Sequence, residues 1–165
     1  MKLVLKYGGT SISNTKDIQT ICEHISTLSK KHQIVIVCSA TSGTTDDLIE
    51  ISESIKKENK SKAEQLASKI INRHNQLAKQ TIKKSDIQKK LLVKLNEDFT
   101  ELLALIDGLV LLGEVTSRSM DYLISFGERL SIKLIAAAIN DLSKKSISLT
   151  GKEVGIVTDS NFGES

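Results

Sequence analysis

Two apolar runs, Leu3-Val4-Leu5 and Ile34-Val35-Ile36-Val37-Cys38, bracket a segment with helical periodicity, and this pattern constrains the fold most. The second run is continuous and β-branched, as expected of a parallel strand covered on both faces. Between the runs, Ile18, Ile21, Cys22, Ile25 and Leu28 recur at helical spacing over residues 14–31, with Asn14 placed as N-cap. The order β-α-β predicts two parallel strands joined by a right-handed crossover helix. It puts the loop after Lys6 and the loop after Cys38 at one carboxyl edge, where open α/β sheets bind ligands.

Each loop has a chemistry that suits that edge. The first reads Lys6-Tyr7-Gly8-Gly9-Thr10-Ser11. Glycines without Cβ let the chain turn sharply and bring backbone N–H groups close to an anion. The following helix adds free N–H groups and the positive end of its dipole. Lys6 stands where its ammonium could reach a phosphoryl oxygen. The motif is neither a P-loop nor G-x-G-x-x-G, and taken alone it is equally an ordinary turn. The second loop, Ser39-Ala40-Thr41-Ser42-Gly43-Thr44-Thr45-Asp46, is small and hydroxyl-rich. It reads either as a turn capped by Thr44 or Thr45 at a helix start or as a set of donors facing the same ligand as Lys6.

Helical patterns fill the middle of the chain. Leu48, Ile51 and Ile55 form one stripe, and Ala63, Leu66, Ala67, Ile70, Ile71, Leu77 and Ala78 form another. Ser85-Asp86-Ile87-Gln88 reads as a capping box opening a further helix. Gly108 to Gly113 reads as an apolar link, followed by a helix from about Ser119 to Asp141. Gly127 inside that helix costs about 1 kcal/mol against Ala, so a closely packed helix or a ligand should require it. By pattern alone Glu128 and Arg129 read as two exposed charges. Ser146–Leu149 and Val154–Val157 read as further strands. The chain then stops soon after the loop Thr158–Gly163, which reads as a truncation.

Composition removes several function classes. A net charge of +3 with scattered lysine pairs gives no basic stripe for nucleic acid. Aromatics at 3% and no Trp leave no stacking platform for single strands. The longest apolar run, Leu102–Leu112, is broken by Asp107 and is too short for a bilayer. Cys22 and Cys38 read as two buried thiols in a reducing compartment, and His24, His32 and His74 show no metal-ligand spacing. With no signal peptide before the first strand, the expected location is cytoplasmic.

Three segments together resemble aspartate kinases of the amino-acid-kinase superfamily. Lys6-Tyr7-Gly8-Gly9-Thr10-Ser11 is similar to that family's opening Lys-Phe-Gly-Gly-Thr-Ser. Ser39–Asp46 resembles its Ser-Ala-x-x-Gly-x-Thr-Asp/Asn loop, and Ser125-Phe126-Gly127-Glu128-Arg129-Leu130-Ser131 resembles its Ser-x-Gly-Glu-Arg-Leu-Ser segment. Gly155–Asp159 through Phe162-Gly163 resembles its next signature. Tyr7 stands for the usual Phe, and Ser117 stands where the family often has Pro.

The resemblance implies an α/β, three-layer αβα amino-acid-kinase (carbamate-kinase-like) fold with a mainly parallel sheet. Residues 1–165 would be the N-terminal, amino-acid substrate part of the catalytic domain. The nucleotide-binding half and the ACT regulatory domains would lie outside them. The implied reaction is Mg-ATP-dependent phosphorylation of the L-aspartate side-chain carboxylate, the first step toward lysine, threonine and methionine. Lys6 would be catalytic and, with Tyr7, Gly8, Gly9 and Ser39, would contact the nucleotide phosphates. Thr45, Glu128, Phe162 and Gly163 would bind aspartate, with Glu128 recognising its ammonium. No protein metal ligand is implied. The full-length enzyme would be a homodimer through its C-terminal domains, leaving this piece free to be a monomer and inactive alone. The alternatives are a kinase for acetylglutamate or UMP in the same superfamily, and a non-catalytic amino-acid-binding module. The expectation at stake is that Lys6, the hydroxyl loop and Glu128 line one cavity.

Overall fold

The computed structural model describes residues 1–163. Its first elements follow the β-α-β pattern: β1 (Lys2–Tyr7), α1 (Thr15–Leu28) and β2 (Gln33–Cys38). The strands pair in parallel, with Lys2 opposite Gln33 and Tyr7 opposite Cys38. Asn14 caps α1 as expected, its side-chain oxygen accepting from the Asp17 N–H at 3.0 Å. Four helices follow: α2 (Thr44–Lys56), α3 (Lys60–Thr81), α4 (Ser85–Leu112) and α5 (Ser117–Asp141).

The core lies on one side of the sheet. Side chains alternate along a strand, so one face carries Leu3, Leu5, Tyr7, Ile34, Ile36 and Cys38. Of these, Leu5, Tyr7, Ile34, Ile36 and Cys38 pack with the helices. The other face carries Val4, Val35 and Val37, exposed at 69%, 54% and 48%. Of the three expected layers, the described residues form the sheet and the helices on one face. The expectation that β2 is covered on both faces does not hold for them.

The helix α5 is the hub. It packs against α1, α2, α4 and β2, and Leu123, Phe126, Leu130 and Leu134 on it are fully buried. Thr116 caps it, accepting from the Ser119 N–H at 3.2 Å.

Three local expectations are corrected. Ser85–Gln88 does not form a capping box: the N-cap is Lys84, without a side-chain cap. The free N–H groups of Lys83 and Lys84 are instead accepted by the Asp141 carboxylate at 3.0 and 2.8 Å. Gly108–Leu112 is not a link but the last part of α4, which ends at Gly113 in the left-handed region (φ 71°). Leucine and valine keep the helix going, and only the glycine without Cβ stops it. Residues 146–149 and 154–157 are turns or irregular chain, not strands, and no third strand pairs with β1 or β2 among the described residues. An alternating apolar pattern forms a strand only where a neighbour takes its hydrogen bonds.

No helix among the described residues is long and apolar enough to cross a membrane.

Candidate functional site

The two loops at the carboxyl edge are tied together by backbone. The Ser39 N–H extends the ladder to the Tyr7 carbonyl at 3.0 Å, and the Ser42 N–H reaches the Ile12 carbonyl at 3.3 Å. A short 3-10 turn, Gly9–Ser11, follows β1. A Cβ on Gly9 would stand 3.0 Å from the Ala40 carbonyl oxygen, so the glycine lets the first loop press against the second. A Cβ on Gly8 would meet nothing, which leaves open space in front of that turn.

Glu128 is carried into the same place by α5. A Cβ on Gly127 would approach the Ala40 Cβ to 2.7 Å, closer than real side chains stand. The requirement for bare backbone at Gly127 is therefore a close approach of α5 to the second loop and to Leu48 of α2. The next residue, Glu128, is half-buried, and its Oε1 accepts from the Ala40 N–H at 3.4 Å. That bond is long, and Oε2 has no protein partner among the described residues. The carboxylate keeps the capacity to accept from a bound ammonium. One turn on, the buried Ser131 donates its hydroxyl to the Ser39 carbonyl at 2.6 Å.

Arg129 points the other way, into the contact with α4. Its guanidinium donates to Asp98 at 2.7 Å and to Glu101, and it lies over the Phe126 ring at 4.3 Å. Lys133 adds a 2.5 Å contact to the buried Asp98. Burial opposes charge on Arg129, but Glu101 and Asp98 overcome it and push the pKa up. Thus neither Glu128 nor Arg129 is an exposed charge, contrary to the helical pattern. One residue faces the ligand edge, and its neighbour locks the helix that carries it.

The remaining predicted residues are more dispersed. Lys6 and Val4 lie on the uncovered face, whereas Tyr7 packs on the core and its hydroxyl meets His24 Nδ1 at 3.2 Å. Lys6 therefore leaves the sheet on the side opposite to α5. Thr45 is half-buried in the first turn of α2, next to the fully buried Thr44. Phe162 and Gly163 sit at the start of α5. Arg118 lies 5.7 Å from the Phe162 ring, and the Gly163 N–H donates to Asp121 at 2.9 Å. Asp121 is two helical turns from Glu128, about 10 Å along the axis. The structure brings Gly9, Ser39, Ala40 and Glu128 together. It leaves Lys6 and the Phe162–Gly163 loop on the margins, and no contact joins either to Glu128.

Sequence reasoning overlooks Ser131 as a clamp, Asp121 as the anchor of the last loop, and Arg73 and His74 beneath the second loop. For His74 a signal exists: it falls on the apolar stripe of α3 between Ile70 and Leu77. Among the described residues no cluster of three or more His, Cys, Asp or Glu side chains could hold a metal ion. Cys22 and Cys38 are buried free thiols, and burial pushes them up to about 12 and about 11.

Residues 1–164 match the model of the amino acid kinase family. Among curated proteins, the chain is 32% identical to aspartokinase 1, chloroplastic, of Arabidopsis thaliana over 162 residues, 96% of this chain and 27% of that protein. It is 31% identical to the aspartokinase of Schizosaccharomyces pombe over 148 residues, 84% of this chain and 28% of that protein. Among solved structures, Escherichia coli aspartokinase III in complex with aspartate and ADP superposes with a TM-score of 0.73 at 17% identity. That match covers 87% of this chain and 30% of the other. The chain thus spans little more than a quarter of the length of the curated relatives it matches, and the structural likeness gives the fold.

Proposed function

We propose, from the premise that this chain belongs to the amino acid kinase family, that it is the amino-acid-binding portion of an aspartate kinase. The observation that carries the reading is the approach of Gly127 to Ala40, which sets the Glu128 carboxylate at the edge formed by Gly9, Ser39 and Ala40. In the reaction an oxygen of the aspartate side-chain carboxylate bonds to the terminal phosphorus of ATP, while the bond from that phosphorus to the bridging oxygen of ADP breaks. Such a transfer asks a protein for positioning and charge stabilisation rather than covalent chemistry.

Each residue has a part in that division. Glu128 Oε2 accepts from the ammonium of L-aspartate and the Thr45 hydroxyl bonds a carboxylate of it, while the Ser39 hydroxyl, beside Gly9, faces the phosphates. Lys6 neutralises charge on the transferred phosphoryl group, approaching from the open face. The space in front of Gly8 fits a phosphate oxygen held by main-chain N–H groups. Mg2+, bound with ATP, would supply further charge neutralisation through the phosphates, since the described residues offer no acidic cage of their own. Phe162 and Gly163 close the aspartate side from the start of α5.

The nucleotide side of the site and the ACT domains are read as lying outside residues 1–165. The chain by itself then makes no aspartyl phosphate; hydroxylamine trapping with aspartate and Mg-ATP should yield no hydroxamate. The assembled enzyme is read as a cytoplasmic homodimer.

Calorimetric titration of the chain with L-aspartate tests the binding half. Saturable heat that E128Q removes is expected, with no heat from acetylglutamate or UMP. Heat with either of those and none with aspartate would move the assignment to another branch of the family.

A further inference from the structure

Beneath the second loop lies a buried chain of hydrogen bonds that the proposed function does not use. His74 and Thr44 are fully buried, and Thr41 is 2% and Asp47 4% exposed. His74 Nδ1 faces the Ile70 carbonyl at 2.8 Å. A carbonyl only accepts, so Nδ1 carries the proton, and Nε2 of the neutral ring must accept. Its partner is Thr41 Oγ1 at 3.1 Å, which spends its single proton there. Thr41 therefore accepts from Thr44 Oγ1 at 2.7 Å, and Thr44 in turn accepts from Arg73 Nη1 at 3.0 Å. Arg73 Nη2 and Lys69 Nζ both end on Asp47, each at 2.7 Å. Every hydroxyl and ring proton has one direction, running Arg73 to Thr44 to Thr41 to His74.

This relay grips the segment between Ser39, assigned to the phosphates, and Thr45, assigned to aspartate. Thr41 and Thr44 are held from α3, by His74 and Arg73. Gly43 between them takes φ 72°, and a Cβ there would stand 3.7 Å from Arg73 Nη2. Ser39 is held separately by Ser131. An apolar cluster would fill the same space, but it would not dictate which way the loop's hydroxyls and peptide groups turn, because hydrophobic contact is non-directional.

We propose that Thr41 and His74, with Arg73 behind them, are positioning residues for aspartate: their one-way relay sets the backbone of residues 41–44 and so aims Thr45 at the ligand. The aspartate part of this rests on the proposed function; the conformational part does not.

Three measurements on the 165-residue chain test it. First, the ring nitrogens of His74 in the unaltered protein should show the neutral Nδ1–H form by NMR; the Nε2–H form overturns the relay whatever the variants do. Second, T41V keeps the shape of Thr41 and removes its two side-chain bonds, while T41S keeps the hydroxyl. Amide hydrogen exchange at residues 42–46 should rise about tenfold or more in T41V, the scale of one lost bond. It should stay near the original in T41S and be unchanged along α5 in both. Equal changes in loop and α5, or equal behaviour of T41V and T41S, overturn the proposal. If T41V does not fold, R73K replaces it: it keeps a cation for Asp47, loses the fork that reaches Thr44, and should loosen the same amides. Third, T41V should weaken L-aspartate binding at least tenfold and T41S should restore it. Loop loosening without any loss of affinity would overturn the aspartate role. Absence of aspartate binding by the unaltered chain would instead count against the proposed function, while the first two readouts still decide the relay.

Discussion

Gly127 shows how far a single residue can be read in advance. A glycine in a helix interior demands a close neighbour, and that much is legible from the pattern. Which neighbour supplies the demand is not, because Ala40 lies far away in sequence. G127A must displace the Ala40 methyl or the helix itself, since the added Cβ would come within 2.7 Å. The expected cost is about 1–3 kcal/mol in urea unfolding, with loss of aspartate binding through Glu128. G108A is the control: its Cβ meets nothing in α4, so helix propensity alone should raise stability by about 0.5–1 kcal/mol. His74 gives the pH-dependent case. Burial holds its pKa at about 4, against 6.5 for the ordinary side chain. As pH falls below 6.5 the unfolded chain takes up the proton first, so the folded form loses stability until about pH 4. The loss approaches 3 kcal/mol. Urea midpoints of the unaltered protein and H74Q should therefore converge as pH falls through this window; a constant difference would show that His74 does not titrate as buried.

At the scale of elements, legibility depended on whether the signal is local. The spans of β1, α1 and β2 follow from apolar periodicity and an N-cap, all within a few residues. The start of α4 does not. Its sequence offers Ser85 and Gln88 as a capping box, yet Asp141 at the far end of α5 accepts the Lys83 and Lys84 N–H groups. D141A should thus destabilise by about 1–2 kcal/mol, as loss of a helix cap does, whereas S85A should be close to neutral; chemical denaturation separates the two. The clasp between α4 and α5 was equally hidden, because no local rule pairs Asp98 with Arg129 and Lys133. Asp98 is 2% exposed and contacts both cations. D98A leaves Lys133 without its carboxylate and Arg129 with the part-exposed Glu101 alone, and should cost about 3 kcal/mol, while replacing all three residues with apolar ones of similar volume should cost much less. A denaturant series on the single and triple variants checks that non-additivity.

For the whole molecule, the open side of the sheet separates what the pattern promises from what the chain builds. A β-branched run such as Ile34–Cys38 belongs in a sheet buried on both faces, because parallel sheets are otherwise rare. Among the described residues the helices bury one face only, and Val4, Val35 and Val37 stand at 69%, 54% and 48% exposure. The segments that read as further strands, 146–149 and 154–157, lie unpaired with Ile147, Val154, Ile156 and Val157 exposed. Their alternation is legible; their partners are not, since pairing depends on chain brought in from elsewhere in the fold. Contiguous exposed apolar surface binds hydrophobic dyes. The chain should therefore enhance the fluorescence of an anilinonaphthalene sulfonate dye while keeping its full helical signal. V35K and V37K together should remove most of that enhancement without unfolding α1 or α5, because neither side chain contributes to the buried core. Dye binding that persists in the double variant would place the exposed surface elsewhere, with the hollow lined by Ile87 and Val93 of α4 and by Ile147 and Leu149 as the next location to vary.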